Sequence, residues 1–229
     1  MFIHEDKQRL TYWQMASTLK KHAPELKHVR VFGTDGDPSL YQAFAEVFAE
    51  AQHLLCDIHM RDNIEKKLRQ LNERSSTIRD VVEDIFGKKE EAEKTAGLVD
   101  CTDSTFETER DKLYEKWLSV MEKGEQFVQY FKDNKEDKIR NCMLLSTRIA
   151  CHLNLDVYTQ NANECMNSVI RKETEMKKMK LTPFIIAMKR FVDKQEKNIE
   201  QTVLEMTEGL RRLERYKHLA VSRTDFYRL

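Results

Sequence analysis

The chain has 229 residues, 40% of them apolar and 34% charged, and Lys+Arg and Asp+Glu both total 39. That length accommodates one large domain or two small ones with a true core, and the balanced charge excludes a global pull toward nucleic acid or membrane, so any anion-binding face must be local. Five cysteines without a tight framework exclude a disulfide scaffold and predict free thiols in a reducing, intracellular compartment. No apolar run approaches the ~18 residues that cross a bilayer, and the early charges of "MFIHEDKQRL" exclude a signal peptide.

In chain order, "MFIHEDK" has room for the tail of a strand. "LTYWQMASTLKKH" repeats apolar residues as a helix that closes before Pro24. Val29, Val31 and Phe32 read as a short buried strand ending at Gly33. Asp37 then stands where an N-cap belongs, with Pro38 at the first helical position, and Leu40, Ala43, Phe44, Val47 and Phe48 repeat at helical period. A second β-like run, "AQHLLCDIH", covers 51–59. Helix, strand, helix, strand is the order of half an α/β sheet. Asp35 falls at the carboxyl lip of that sheet, where open α/β folds gather ligands. On the residues alone, Asp35 and Asp37 read equally as turn and cap residues.

From 60 to 154 the pattern becomes helical throughout. "SSTIRDVVEDIFG" shows a Ser cap, an apolar stripe and a Gly stop at 87, and Ser104 with Glu107 has capping-box spacing before a helix carrying Phe106, Leu113, Trp117 and Met121. Helical spacing makes Trp117 a core residue, and the charged run at 87–97 reads as a solvated loop or frayed helix. The segment 155–159 reads as extended or irregular. Thr159 or Asn161 then caps a helix that carries Ala162, Met166, Val169 and Ile170 inward. Thr182 and Pro183 open a long amphipathic helix of core or dimer spacing, which Gly209 ends or kinks.

"FGTDGDPSLYQAF", "AEAQHLLCDIHMRDNIEKKL" and, beyond the helical block, "YTQNANECMNSVIRK" together resemble the carboxyl two-thirds of a Mutator-like element transposase domain, a member of the RNase H-like superfamily. The resemblance runs from about 2 to about 195. It implies an α/β fold, a partial RNase H-like core with a large all-α insertion, divided as 1–59 core, 60–154 insertion, 155–180 last core helix and 181–229 carboxyl-terminal helix. It also implies that Asp35 and Glu164 are catalytic carboxylates and metal ligands, and that Cys56 and His59 form the family's Cys-x-x-His motif. Metal-dependent DNA cleavage and strand transfer on Mg2+ or Mn2+ would follow, with DNA as partner and the nucleus as location. The chemistry needs carboxylates from separate elements because two hard ions must be held about 3.5–4 Å apart.

The family's first carboxylate, on the first strand of the sheet, has no match before Asp35, where only Glu5 and Asp6 precede the first helix. The chain is therefore expected to be an amino-terminally truncated, inactive transposase fragment with an open sheet edge. The alternative is a domesticated remnant that binds DNA or protein without catalysis. On α-helical spacing Asn167, Ser168 and Arg171 share the face of Glu164, and with Lys172 they form a candidate DNA-binding surface, against which stands a merely solvated face. Cys56 and His59 with Cys151 and His152 offer a zinc alternative, against packing for Cys56 and a hydrogen bond for His59. A homo-oligomer is a further expected partner; a membrane is not.

Overall fold

A computed structural model of the chain describes residues 8–90, 93–153, 156–174 and 180–204, with backbone alone at 89–90, 93–94, 161–164 and 203. The strand tail expected in "MFIHEDK" and the effect of Gly209 lie outside those residues. The chain divides into two compact units, Met1–Gln160 and Asn161–Leu229. The described residues are mostly helical, with a small parallel sheet that makes the chain α/β.

In the first unit, helix α1 (Arg9–His22) ends where Ala23 precedes Pro24, a position that disfavours helical backbone. A 3-10 turn over Pro24–His28 leads into strand β1 (Val31–Thr34). Helix α2 (Pro38–Val47) packs along α1, and Ala16 and Ala43, both fully buried, allow close approach. Strand β2 (Gln52–Leu55) lies parallel to β1, with Phe32 opposite His53 and Thr34 opposite Leu55. Two parallel strands joined through a helix form a βαβ unit, as the sequence order requires.

Helix α3 (Asp57–Gln70) starts directly at the end of β2 and buries Met60, Ile64 and Leu68, one turn apart. Helix α4 (Ser75–Phe86) buries Ile78, Val81, Val82, Ile85 and Phe86 and stops at Gly87, whose φ of 72° favours glycine. The run expected as a loop or frayed helix is instead an antiparallel hairpin of β3 (Lys88–Glu90) and β4 (Glu93–Thr95). No alternation of apolar and polar residues announces it. Backbone pairing and the Lys88 N–H to Thr95 Oγ1 bond of 3.2 Å hold it.

A 3-10 turn at Leu98–Asp100 precedes helix α5 (Phe106–Val120). The Ser104 capping box does not form: Thr105 is the N-cap without a side-chain cap bond. The Thr102, Ser104 and Thr105 hydroxyls are engaged with one another and with the 102–105 turn instead. The expected Ser cap of α4 is also absent, because Arg74 occupies the cap and Ser75 is already helical. Helix α6 (Gly124–Phe131) runs into one π turn at Lys132–Glu136, followed by α7 (Asp137–Cys142) and α8 (Leu145–Ala150).

Trp117 centres this helical block. Fully buried, it meets Phe127 and Phe131 edge-on with ring centroids 5.2 Å away in each case, a favoured aromatic geometry. Its indole N–H donates to Asp84 Oδ2 at 3.0 Å, while Lys116 Nζ reaches Asp84 Oδ1 at 2.6 Å. One carboxylate thus satisfies the tryptophan and joins α4 to α5. Arg148, nearly fully buried, donates to Val99 O (3.0 Å) and Asp100 Oδ1 (2.6 Å), tying α8 to the 98–100 turn.

The second unit pairs helix α9 (Asn161–Glu173) with helix α10 (Leu181–Val203), through buried Phe191 and a Lys194–Glu173 ion pair of 2.8 Å. Lys180, not Thr182, is the N-cap of α10. Met166 and Val169 are exposed, contrary to the inward placement that periodicity suggested, Ile170 is half-buried, and the Ala162 side chain lies outside the described residues.

Substituting Trp117→Ala is expected to cost about 3–5 kcal/mol of stability. Trp117→Phe, which mainly strips Asp84 of its indole donor, should cost about 1–3 kcal/mol. Urea denaturation of the full chain, followed by circular dichroism, measures both.

Candidate functional site

The lip of the β1–β2 pair is set by the turn after β1. Asp35 is exposed, and its Oδ1 accepts the Asp37 N–H at 3.1 Å. Asp37 in turn caps α2, accepting from Ser39 N (2.8 Å) and Leu40 N (3.0 Å), with Pro38 at the first helical position as expected. The two aspartates therefore divide the labour: Asp37 ends the turn, and Asp35 stands at the carboxyl end of the strand with its carboxylate toward solvent. Tyr12 of α1 lies close enough that burial, Asp37 and Asp35 together raise its phenol above the ordinary value.

The segment after the helical block returns to the same lip. The Asp57 N–H donates to Tyr158 O at 2.9 Å, and the Gln160 N–H lies 3.4 Å from Cys56 Sγ. Tyr158 lies flat against the backbone of Gly33: a Cβ at that position would fall 2.0 Å from Tyr158 Cζ. Glycine inside a strand thus marks a close approach. Burial raises the Tyr158 phenol, with smaller contributions from Cys56 and Asp35. Asp35 thus lies within electrostatic reach of two phenols from elements far apart in sequence.

Cys56 is the N-cap of α3 and is buried, with its sulfur turned toward Gln160, while His59 lies in the first turn of α3. Asp57, also buried, accepts from Arg61 Nε at 2.7 Å. The Arg61 guanidinium in turn covers the Phe86 ring at 4.3 Å.

On the other face of the strands sits a histidine that sequence reasoning passed over. His53 is stacked between Phe32 (5.0 Å) and Tyr41 (4.5 Å). Its Nε2 shares a hydrogen bond of 2.8 Å with Thr34 Oγ1, and its Nδ1 lies 3.4 Å from Cys142 Sγ. Burial, and then the Lys138 ammonium, lower its pKa to about 4; burial pushes the Cys142 thiol up to about 11. The pair is a neutral imidazole beside a neutral thiol, a packing contact and not a nucleophile with its base. A cavity of about 160 Å3 opens beside it, walled by Gly36, Tyr41, Leu55 and Asn141.

A divalent ion takes several oxygen ligands, and among the described residues no group of three or more His, Cys, Asp or Glu could hold a metal ion. The described residues thus do not fit a two-metal centre: Asp35 is a single exposed carboxylate, and Asp57 is committed to Arg61. The zinc alternative of Cys56, His59, Cys151 and His152 fails on the same ground. Glu164 is in the first turn of α9, in the second unit, and its side chain lies outside the described residues. Asn167, Ser168, Arg171 and Lys172 are exposed on the same helix. No protein-family model matches the chain, and neither does any curated protein or solved structure.

Gly33 and Cys56 were legible as a strand end and a motif. Tyr158 and His53 were not: Tyr158 meets Gly33 and Asp57 across the helical block, with Gly33 the one local hint of it, and His53 is enclosed by residues that only the strand pairing and α2 bring over it.

Gly33→Ala is expected to destabilise the chain by about 1–3 kcal/mol through overpacking. Tyr158→Ala in the same chain should recover part of that loss, a coupling that a double-mutant cycle reads. His53 makes a second prediction. Free histidine titrates near 6.5, so its contribution to stability is complete above that pH, declines as pH falls, and is lost once pH passes below about 4. Between pH 7 and 4 the chain should lose on the order of 2 kcal/mol more than His53→Gln, the full shift being reduced by solvent screening of Lys138. Urea midpoints across that range give the difference.

Proposed function

We propose that the chain corresponds to the carboxyl-terminal part of an RNase H-like DNA transposase domain of the Mutator-like type, and that by itself it binds DNA without cutting it. The observation that carries this reading is the position of Asp35. It stands at the carboxyl lip of a parallel strand pair, on a turn closed by an N-capped helix, with the Cys56 motif at the end of the next strand. That is where the resemblance requires a metal-binding carboxylate, and its motifs recur here in the same order, separated by a helical block.

Two considerations favour binding over cleavage. Two-metal phosphodiester chemistry uses carboxylates that bridge the ions and activate the attacking oxygen, whereas at the lip Asp37 is engaged as the cap of α2 and Asp57 is paired with Arg61, and no group of three or more candidate ligands gathers among the described residues. Glu164 is a further metal ligand in the resemblance, but its side chain lies outside the described residues. The basic residues, in contrast, are exposed: Arg171 and Lys172 follow Asn167 on α9, a helix face suited to phosphate oxygens. The helical block is less suited. Its cavity of about 450 Å3 is lined by Asp80, Glu83, Asp84 and Glu109, and its lysine, Lys116, is already paired to Asp84.

The full chain should bind duplex DNA with an affinity that falls steeply with salt. Replacing Arg171 and Lys172 together by alanine should make the log–log salt slope shallower by about 2, one for each phosphate no longer neutralised. With Mn2+ and a labelled duplex, no cleavage or strand-transfer product is expected. Product that disappears in Asp35→Asn would replace the binding reading with a catalytic one, and binding insensitive to salt would remove the DNA reading altogether.

A further inference from the structure

Helix α10 uses one face against α9 and leaves a second, apolar face uncovered. The inner face carries Phe184, Ala187 and Phe191, of which Phe191 is buried and the other two half-buried. About a quarter turn away run Leu181, Ile185, Val192 and Ile199, exposed by 56%, 43%, 47% and 63% of their surface. Ile185, Val192 and Ile199 are seven residues apart and all β-branched, and Leu181 precedes Ile185 by four. A solvated helix has no reason to repeat large aliphatic side chains at this interval. Seven-residue spacing is the signature of a seam closed by another helix, because 3.5 residues per turn keeps one stripe facing its partner.

We propose that this seam is closed by α10 of a second copy of the chain, the two helices running antiparallel about Val192. The charges beside the seam select that partner and that direction. Lys189 and Glu196 flank the same edge of the stripe, seven residues apart and opposite in sign, both exposed and neither with an ion-pair partner among the described residues. A two-fold axis at Val192 brings Val192 against its own copy and Ile185 against Ile199 of the second copy. It also sets Lys189 of each chain beside Glu196 of the other. The surface is thus self-complementary, as an isologous interface requires. A parallel pair would instead carry this edge to the opposite side of the seam in the second copy, so that neither Lys189 nor Glu196 meets its complement. Such edge charges add little affinity but fix partner and orientation.

The proposal is independent of DNA binding and is tested on the full chain without DNA, by sedimentation equilibrium over micromolar concentrations. A dimer is expected. Val192→Lys should weaken it about tenfold or more, since it places a charge at the two-fold centre of an apolar seam. Lys189→Glu should weaken it a few-fold, and Lys189→Glu with Glu196→Lys should restore it. These exposed charge variants carry the test even where Val192→Lys folds poorly, and far-ultraviolet circular dichroism with a cooperative melt checks the folding of each. A monomer at every concentration overturns the proposal, as does a dimer indifferent to Val192→Lys in a folded variant. Failure of the double charge reversal to restore association overturns the antiparallel pairing.

Discussion

The helical block leaves the sheet and returns to it at one place, and the arrangement of the first unit depends on that closure. Cys56 ends the strand pair and opens α3; Gln160, 104 residues later, donates back to the same sulfur. The Tyr158 carbonyl accepts the next backbone N–H, and its ring lies on Gly33. Closing so long a loop costs configurational entropy, but that cost grows only logarithmically with length. A few well-placed contacts therefore suffice once the enclosed segment has a core of its own.

That core is carried by Trp117 and its aromatic neighbours. The apolar side chains from Met60 to Leu144 form one contiguous core, and two of its large polar groups find partners there: the indole in Asp84, the Arg148 guanidinium in Val99 and Asp100. The strand pair has no such reserve, for two short strands cannot bury both faces. It borrows stability from α1 and α2 and from the block, where Gln52 Nε2 donates to Asn141 O at 3.0 Å and Cys142 meets His53.

Local chemistry was legible in the sequence; long-range chemistry was not. Asp37 and Pro38 announced the start of α2, Gly87 the end of α4, and the apolar stripe of α4 its buried face, because each depends on neighbours within a turn or two, whereas the β-like run read over 51–59 gives way to α3 at Asp57. The hairpin at 88–95 was hidden because its strands are polar throughout, charged at every position but Thr95, and lack the alternation of a half-buried strand. The Ser104 capping box failed because nearby hydroxyls offered one another closer partners. Met166 and Val169 obeyed helical period yet face outward, since periodicity identifies an apolar stripe without saying what covers it. At the candidate site, Asp35 could be placed by its turn, whereas Tyr158 reaches Gly33 only across the helical block and His53 is enclosed only once β1 pairs with β2 and α2 folds over them.

The single π turn at Lys132–Glu136 has a consequence for how this fold could have arisen. One additional residue in a helical run rotates every later residue by about 100°, and π turns of this kind often mark functional positions. Here the next element is α7, whose last turn presents Asn141 and Cys142 to β2. Without that rotation the same helix would turn these two residues away from the strand, and its junction with the sheet would lose both contacts. The joint between block and sheet thus depends on angular phase as much as on composition. A deletion of one residue there is a larger event, in mechanical terms, than the loss of any one side chain beside it.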